Sequence, residues 1–428
     1  MSKLQELIQT LCPNGVEYKK LGDIGVFENI GVDKKTIEGQ PLVRLLNYVD
    51  VYKKIYIDNN IPQMIVSAST RKIHDCSCEK GDIFITPTSE TRDDIGHAAV
   101  ITETLVNTVY SYHIMRLRLF EYNMVTSFFI RYLFETEIVQ KQICKLAKGL
   151  TRFGLSKYDF AKIEIPIPPI EVQEEIVKIL DRFAELQAEL QAELQARQEQ
   201  YECYRDKLLT FSDINGGGQT GVTWMKMSEL GTFYGGLTGK TKADFRQGNA
   251  KFISYMNIFN NIALKTNVED MVRVAENENQ NRIEFGDALF TGSSETPDEC
   301  GMSSVLTTHV NEPLYLNSFC FGFRLNDKNI YNPDFFKHLL RSQPVRKQIK
   351  NTANGVTRFN VSKKLFGKIT LPIPKMEVQN RIAMILDKFE ALVNDLSQGL
   401  PAEIAAVREQ YDYYRNMLLS FPKNEISA

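Results

Sequence analysis

The chain has 428 residues, of which 43% are apolar and 24% charged, and 51 basic against 53 acidic residues give a formal net charge of −2. This length predicts two to four domains, and the composition is typical of a soluble globular protein. No apolar run approaches the ~18 residues of a membrane span, no signal peptide is visible, and seven irregularly spaced cysteines give no disulfide framework, so we expect a cytoplasmic location.

The first stretch of the chain mixes strand and helix patterns. The runs "DIFITPT" and "AAVIT" predict strands, and "MVTSFFIRYLFETEIVQKQICKLA" predicts helices. His74, Cys76 and Cys78 in "HDCSC" could form half of a metal site. However, His-x-Cys-x-Cys is poor zinc spacing and no second Cys/His pair lies nearby. We therefore expect ordinary thiols and no metal.

A long amphipathic helix is predicted next, because Pro166, Pro168 and Pro169 end an extended stretch and permit a helix to start after them. Apolar residues then recur at spacings of 3, 4 or 7, which is typical of a coiled-coil seam. The seam candidates here are Leu186, Leu190, Leu194, Tyr201 and Tyr204. The seam contains "AELQAELQAELQ", three identical tetrads of ~6 Å each. We interpret them as length adjusters; a low-complexity helical stretch is the alternative.

The run "YGGLTGKT", Tyr234 to Thr241, is glycine-rich and ends in Gly-Lys-Thr, as nucleotide-binding loops do. The Walker pattern requires a glycine where Tyr234 stands, because Gly235 and Gly236 come too late in the run. The pattern therefore disfavours an ATPase and leaves the role of the loop open at this point.

The second half of the chain repeats the first. "GLTRFGLSKYDFAKIEIPIPPIEVQEEIVKILDRF" from Gly149 aligns without gaps with "GVTRFNVSKKLFGKITLPIPKMEVQNRIAMILDKF" from Gly355, with 20 of 35 positions identical. "RQEQYECYRDKLLTF" returns as "REQYDYYRNMLLSF", and "KGDIFITPTSET" matches "FGDALFTGSSET". "ALFTG" and "SSVLT" predict strands, and "NPDFFKHLLRSQPVRKQIKNTA" predicts helices. Each half is thus a variable stretch followed by a matched segment, which indicates two related domains with different specificities.

The second matched helix has its own seam, which includes Ile404, Tyr411 and Tyr414. We expect it to be kinked or broken at "SQGLPAE", because Gly399 and Pro401 disfavour a continuous helix.

Basic charge is concentrated at the same place in both repeats. Five basic and no acidic residues lie between Val139 and Tyr158, and seven basic and no acidic residues lie between Arg341 and Lys364. A single basic run is usually a solvated face. Two runs at equivalent positions favour nucleic-acid binding through phosphates.

The doubled arrangement resembles the specificity subunit of type I restriction–modification enzymes: two variable regions, each followed by "IPIPPIEVQ" or "LPIPKMEVQ", a long helix and "EQYxxYRxxLLxF". The resemblance spans the whole chain, and the tetrads are similar to the spacer repeats of one branch of that family. It implies an α+β fold with two mixed α/β target recognition domains. Two long conserved helices, pairing as an antiparallel coiled coil, would separate them with pseudo-twofold symmetry. The implied boundaries are target recognition domain 1 at 1–168, a central conserved helix at 169–213, target recognition domain 2 at 214–374 and a C-terminal conserved helix at 375–428.

The resemblance also implies partners and a non-catalytic role. Each recognition domain would read one half of an asymmetric, split site on double-stranded DNA. Two modification subunits, which bind S-adenosylmethionine and methylate adenine, would dock on the helices, and restriction motor–nuclease subunits would join for cleavage. This chain would hold no cofactor itself, since S-adenosylmethionine, ATP and Mg would be bound by the partners.

We expect DNA contacts from the basic runs, from the Tyr234–Thr241 loop with its first-repeat counterpart, and from the "TSET" and "SSET" loops, where Ser, Thr and Arg could pair with base edges. An ordinary turn is the alternative for each loop. Arg92, Arg71 and Lys72 are favoured over Glu90, because a residue alike in both domains is less able to distinguish two half-sites. The candidates are Lys34, Lys35, Arg71, Lys72, Arg92, Lys148, Arg152, Lys157, Lys240, Thr241, Lys242, Ser293, Ser294, Lys350, Arg358 and Lys363.

Two other functions fit the sequence less well. A methyltransferase would need an Asn/Asp-Pro-Pro-aromatic motif, but Pro168-Pro169 lies between Ile167 and Ile170. A stand-alone nuclease belongs to the same catalytic alternative. A coiled-coil scaffold without DNA recognition would not account for the paired basic runs.

Overall fold

The computed structural model describes residues 3–211, 221–394 and 399–424. The chain divides into two compact units, of which the first comprises Met1–Glu189 and Ile404–Ala428 and the second Leu190–Glu403. Both mix helices with sheets, as the predicted α+β class requires. Within the described residues, no helix combines the length and apolarity that crossing a bilayer demands.

The elements that precede the long helix all belong to the first unit. In chain order they are α1 (Lys3–Leu11), β1 (Glu17–Lys20), α2 (Leu21–Ile24), β2 (Gly25–Glu28), β3 (Leu42–Leu46), α3 (Tyr48–Lys53), β4 (Tyr56–Ile57), β5 (Met64–Ser67), α4 (Thr70–Asp75), β6 (Ile83–Ile85), β7 (Thr88–Ser89), β8 (Ala98–Ile101), β9 (Thr108–Tyr110), β10 (Met115–Leu119), α5 (Ser127–Phe134), α6 (Glu137–Leu146), β11 (Lys148–Gly149), β12 (Phe153–Gly154), α7 (Lys157–Phe160) and β13 (Glu164–Ile167).

The long helix α8 covers Ile170–Leu208, 39 residues without a break. It begins just after Pro169, as the sequence predicts, and it contains all three tetrads. Ala, Glu, Leu and Gln are strong helix formers, so this stretch favours the helix even where it is not buried. Within α8, the residues up to Glu189 belong to the first unit and those from Leu190 belong to the second.

The remaining elements follow largely the same order. They are β14 (Thr223–Lys226), α9 (Met227–Leu230), β15 (Gly231–Gly235), the 3₁₀ helix η1 (Lys242–Phe245), β16 (Ala250–Ile253), α10 (Tyr255–Asn260), β17 (Met271–Val272), β18 (Ala288–Thr291), β19 (Ser293–Ser294), β20 (Ser303–Val305), β21 (Leu314–Leu316), β22 (Cys320–Leu325), α11 (Pro333–Arg341), α12 (Gln343–Lys350), β23 (Ala353–Asn354), β24 (Phe359–Val361), α13 (Lys363–Phe366), β25 (Thr370–Ile373), α14 (Met376–Asn394) and α15 (Leu400–Leu418).

The sheets of the two units follow the same plan. In the first unit the larger sheets have the strand orders β2-β10-β6-β8-β4 and β5-β3-β9, and in the second β15-β22-β18-β20 and β17-β16-β21. Most neighbouring strands run antiparallel, whereas β3 with β9, β4 with β8, and β16 with β21 run parallel. Each unit also has a small three-stranded sheet, β11-β12-β7 or β19-β24-β23, and a two-stranded one, β1-β13 or β14-β25.

A buried arginine–aspartate pair fixes the central sheet of each unit. Arg118 on β10 donates two hydrogen bonds to Asp82, at 2.6 and 2.7 Å. Arg324 on β22 donates two to Asp287, at 3.0 and 2.6 Å. Both aspartates are almost fully buried, so loss of either arginine would leave an uncompensated buried charge. This accounts for the aspartate that both repeats carry, after a glycine, just before their central strand.

A buried glutamine explains the "EVQ" that both matched segments share. The Gln173 side chain donates to the carbonyls of Met124 and Pro168 and accepts from the Thr126 N–H. Gln379 makes the same three bonds with Ile330, Pro374 and Asn332. Each amide thereby joins the start of a long helix to the start of a domain helix.

The predicted helical runs before each matched segment are each divided in two. Thr136 ends the turn after α5 and caps α6 by accepting the N–H of Val139. Ser342 occupies the N-cap position of α12, but its hydroxyl donates to the carbonyl of Leu339 and accepts no hydrogen bond from α12. The predicted interruption of the second seam is also present, since α14 ends at Asn394, Gly399 lies in a bend and α15 begins at Leu400. Residues 395–398, with Ser397 and Gln398 of "SQGLPAE", lie outside the described residues.

Candidate nucleic-acid interface

A short hairpin projects from the first unit within the first basic run. β11 pairs with β12, and β12 pairs with β7 in the "TSET" loop. Gly149 closes the hairpin with φ = +143°, and a Cβ there would lie 1.9 Å from the carbonyl oxygen of Arg152. Only glycine fits this position. Leu150, Thr151 and Arg152 therefore form a tight apex, which we call the first apex.

The second unit builds the same hairpin from β23 and β24, paired with β19 in the "SSET" loop. Gly355 has φ = +149°, and a Cβ there would lie 2.0 Å from the carbonyl oxygen of Arg358. Val356, Thr357 and Arg358 form the second apex. The same backbone geometry thus explains why both repeats carry a glycine at this position.

The apex arginine of each unit reaches across to the neighbouring loop. Arg152 donates to the Thr88 hydroxyl at 3.3 Å, and Arg358 donates twice to the Ser293 hydroxyl, at 3.1 and 2.9 Å. Neither guanidinium has a carboxylate in ion-pair distance among residues 3–211, 221–394 and 399–424. The structure therefore brings Arg152, Arg358 and Ser293 of the candidate set to two equivalent places and leaves both arginines with uncompensated positive charge.

A cleft opens beside the second apex. Its volume is about 550 Å³. The lining residues come from α10, the "SSET" loop, the apex and the segment before β22, and they are Tyr255, Met256, Phe259, Ser293, Ser294, Glu295, Glu299, Phe319, Thr357 and Arg358. The cleft thus combines the apolar surfaces of Tyr255, Met256, Phe259 and Phe319 with hydroxyl, carboxylate and guanidinium groups from the loop and the apex.

Two short helices beside the loops were missed by sequence reasoning. On α3, the Tyr48 hydroxyl donates to the carbonyl of Thr88 at 2.9 Å, and on α10 the Tyr255 hydroxyl donates to the carbonyl of Ser293 at 2.8 Å. The tyrosines occur in "NYVDVYK" and "SYMNIFN". The similar position of the tyrosine in these two segments is the sequence feature that could have identified the two helices.

An acidic residue stabilises each "SET" loop from within. The Ser89 hydroxyl donates to Asp94, which also accepts from Tyr52 and contacts His97. Partial burial raises the pKa of Asp94, but the hydrogen bonds from Ser89, His97 and Tyr52 outweigh it, and the net pKa is lowered. In the second loop Ser294 donates to Glu299 at 3.2 Å. The Ser294 hydroxyl is therefore already engaged within the loop.

Several of the candidate cations are paired within the chain. Lys240 lies against Glu278 at 2.5 Å and donates to the carbonyl of Arg273, and its side chain is 9% exposed. Because its ammonium is turned inward, and because η1 rather than an α-helix follows, Tyr234–Thr241 lacks the form of a nucleotide-binding loop. The Thr241 hydroxyl donates a hydrogen bond to the Asp244 carboxylate. Lys242 is exposed.

The other candidate DNA-binding residues also include some that are engaged within the chain and some that are exposed. Lys72 donates to the carbonyls of Ile30 and Gly31, and Arg92 lies over the ring of Phe153. Four candidates form ion pairs with nearby carboxylates, namely Lys35 with Asp33, Arg71 with Asp75, Lys148 with Asp159 and Lys350 with Asp298. Lys34 is exposed beside Lys35. Lys157 and Lys363 flank the apices and lie over the rings of Tyr158 and Phe321. Their role in DNA binding stays a prediction.

Two arginines of the second basic run serve the fold. Arg341 donates to the carbonyls of Ser303, Ile258 and Phe259, and Arg346 donates to those of Gly301, Asp298 and Cys300. Burial lowers the pKa of each to about 10, so both remain protonated at neutral pH.

The seam residues pack against different partners in the two units. In the first unit Phe183 contacts the rings of Tyr411 and Tyr414. In the second unit its counterpart Phe389 stacks on Tyr204, 5.4 Å between centroids, and Tyr201 bonds His338. Leu190 is buried, and Leu186, Leu194 and Ile404 are half-buried.

Two clusters of potential metal ligands are engaged within the fold. His74 is exposed and pairs with Asp75, whereas Cys76 and Cys78 are buried in the apolar core. His338, Asp387 and Glu390 lie close enough to hold an ion. Lys337, however, places its ammonium 2.9 Å from Asp387 and 3.3 Å from Glu390, where it supplies the balancing charge.

Comparisons with known proteins agree with the doubled organisation. The family model for the type I restriction modification DNA specificity domain matches twice, at residues 13–199 and 221–406. The EcoR124I/EcoR124II type I restriction enzyme specificity subunit of Escherichia coli is 33% identical over 292 residues, which is 64% of this chain and 67% of that protein. A putative type I specificity subunit of Mycoplasma pneumoniae, S.MpnORF201P, is 31% identical over 262 residues, 61% of this chain and 97% of that protein.

Solved structures share the fold at low sequence identity. A chain from a study of complex assembly and conformational transition of the type I R-M system superposes with a TM-score of 0.60 at 15% identity, over 95% of this chain and 98% of that one. The S subunit of a type I restriction–modification system from M. genitalium gives 0.50 at 14% identity, over 95% and 96%.

Proposed function

Since the chain belongs to the family of type I restriction–modification DNA specificity proteins, we propose that it is the DNA-reading subunit of such a complex. It reads an asymmetric, two-part site and holds the modification and restriction subunits in place. The observation that carries the proposal is the pair of apices, because two equivalent arginines with uncompensated charge stand beside two loops of different sequence.

The difference between the two units supports an asymmetric site. The apex glycines, threonines and arginines are the same in both units, whereas α3 and α10 and the loops beside them differ in sequence. Phosphate contacts position a protein without reading sequence, and base edges are read by the varied side chains. Each unit therefore reads its own half-site.

The matched helices support a spacing and docking role. Phe183 with Tyr414, and Phe389 with Tyr204, are equivalent ring contacts made in separate units. We infer that α8 pairs antiparallel with α14 and α15 and relates the units by a pseudo-twofold axis. Tyr204 on α8 and Tyr413, Tyr414 and Met417 on α15 keep exposed side-chain surface, and a group of exposed apolar side chains on one helix is a candidate protein contact. Two modification subunits dock there, and restriction subunits join the assembled complex.

The proposed subunit is not itself an enzyme. S-adenosylmethionine, ATP and Mg are held by the partner subunits in this proposal. The adenine methyltransferase motif has no match around Pro168 and Pro169, and the Tyr234–Thr241 loop is closed by the Lys240–Glu278 pair. A scaffold without DNA recognition is less well supported, because it gives no reason for two matched arginine apices.

Methylome sequencing of cells that express the chain with its modification subunit tests the proposal. We expect methylated adenines in a single two-part motif with unlike halves. A matched control expresses the modification subunit alone and is expected to show none of that motif. Crosslinking of labelled S-adenosylmethionine to the isolated chain, or methylation at a contiguous palindrome, would contradict the proposal.

A further inference from the structure

Both apices end in a bare aliphatic side chain. Leu150 is 95% exposed and Val356 is 92% exposed, whereas the next most exposed large apolar side chains in the described residues are Tyr158 at 70% and Val106 at 68%. An aliphatic side chain held in water gains free energy when it is buried. Its occurrence at the same place in both repeats indicates a binding partner rather than chance.

The exposure is imposed by a rigid backbone. Gly149 and Gly355 occupy positive-φ positions where any Cβ would overlap the apex carbonyl. The apex arginine is held to Thr88 in one unit and to Ser293 in the other, which joins each apex to its neighbouring strand. The aliphatic side chain is thus pre-positioned, so little ordering entropy is lost when it is buried.

The surroundings indicate a polyanionic partner. In each unit the apex arginine has no carboxylate at ion-pair distance among the described residues, and in the second unit Glu295 and Glu299 line the cleft beside Arg358 without pairing with it. Lys157 and Lys363 follow the two apices. A protein partner with an apolar pocket would need an acidic rim to match this charge, whereas DNA offers phosphates along the rims of its minor groove and base steps between which an apolar side chain can insert.

We propose that Leu150 and Val356 enter the minor groove of DNA as apolar wedges, one in each half-site, while the apex arginine contacts phosphate at the groove rim. The inference rests on the proposed DNA-binding function. Apolar wedges in the minor groove partly unstack a base step and need little sequence information. This fits two apices that are alike in units whose other loops differ.

The test uses the complete chain assembled with its modification subunits and duplexes that carry the motif found by methylome sequencing. 2-Aminopurine is placed at one position at a time, because its fluorescence rises when a base unstacks. When the wild-type complex binds, we expect 2-aminopurine fluorescence to rise at one base step in each half-site. Leu150→Ser should remove the signal in one half-site only, and Val356→Ser the signal in the other.

Affinity provides a second measurement. Each serine variant should bind about tenfold more weakly at every salt concentration, with an unchanged slope of log K against log salt, because no phosphate contact is lost. Leu150→Met, which keeps an apolar wedge of similar size, should restore both the signal and the affinity. Val106→Ser, an exposed aliphatic in the same unit outside the hairpin, is the matched control and should change neither.

The outcomes separate the wedge from the function on which it rests. If the wild-type complex binds the motif but no step brightens, or if the serine variants bind as tightly as wild type, the wedge is wrong and the specificity function stands. A serine variant that fails to assemble with the modification subunits would assign the apex to a protein contact. Altered base preference would assign it to base reading. Failure of the wild-type complex to bind its motif would instead overturn the proposed function.

Discussion

Arg358 has two roles, and a substitution to alanine would remove both at once. Its guanidinium fixes the "SSET" loop through Ser293 and also carries a positive charge without an ion-pair partner in the described part of the chain. We predict that Arg358→Ala, or Arg152→Ala in the first unit, weakens DNA binding by the assembled complex and reduces the salt slope by about one. Fluorescence anisotropy titrations at several salt concentrations measure both, and the preferred sequence should stay the same.

Two companion variants separate the roles. Arg358→Lys keeps the charge and should keep the salt slope of DNA binding. Ser293→Ala removes the hydrogen bond to Arg358 but no charge, so the salt slope should again stay as in wild type. An altered target preference in Arg358→Ala with an unchanged slope would argue for base reading and against a phosphate contact.

The Lys240–Glu278 pair gives a pH prediction. Hydrogen bonding to Lys240, then to Gln280 and the backbone of Ala275, lowers the pKa of Glu278 to about 2. A carboxyl whose folded pKa is depressed adds stability above its unfolded pKa of about 4.3, and that stability is lost as pH falls toward the folded pKa. We expect Lys240→Met to lower the melting temperature at pH 7, with the difference from wild type shrinking below about pH 4.3.

Thermal unfolding followed by circular dichroism from pH 7 to pH 3 would measure this difference. Lys242→Met is the matched control, since Lys242 is exposed two residues further on. Equal behaviour of the two variants would mean that Lys240 does not hold Glu278 in solution and is available for DNA, as the sequence alone suggests.

At the scale of elements, the end of α8 packs on α11 through a buried histidine. The His338 ring contacts Tyr201 at 3.0 Å and Asp387 at 2.7 Å. Burial lowers the pKa of His338, although Asp387 opposes the shift. Since the unfolded chain then takes up a proton first, we predict that the second unit loses stability as pH falls below about 6.5.

The first unit suggests the variant that removes this sensitivity. There the counterpart is Tyr132, whose hydroxyl donates to Asp181 at 2.6 Å. His338→Tyr should therefore lessen the difference in urea unfolding between pH 7.5 and pH 5.5, whereas His309→Tyr, at an exposed histidine, should leave it as in wild type. An undiminished difference in His338→Tyr would mean that other groups cause it.

The elements differ in how far the sequence predicted them. The central strands and α8 follow from apolar patterns and proline positions, which act locally. The short helices α3 and α10 have six residues each, too few for a helical period to stand out. Lys240 looked available for DNA because its partner Glu278 is 38 residues away. Pairing across that distance depends on tertiary structure, which spacing alone does not encode.

At the scale of the whole molecule, α8 contributes residues to both units, as α15 also does. If α8 sets the distance between the two half-sites, the tetrads inside it measure that distance. We predict that deleting one tetrad, Ala188 to Gln191, leaves both half-site sequences unchanged and shortens the gap between them. The seam survives the deletion, because Leu186 would then be followed after four positions by the former Leu194.

The size of the change follows from helix geometry. Four residues remove ~6 Å of helix, against ~3.4 Å per base pair, so length alone allows one or two base pairs. Rotation decides between them: four residues turn the helix by ~400°, an excess of ~40° over a full turn, and one base pair turns DNA by ~34°. A gap shorter by one base pair satisfies both conditions best. Methylome sequencing of the deletion variant measures the gap directly, and an unchanged gap or new half-sites would show that the tetrads do not set the spacing.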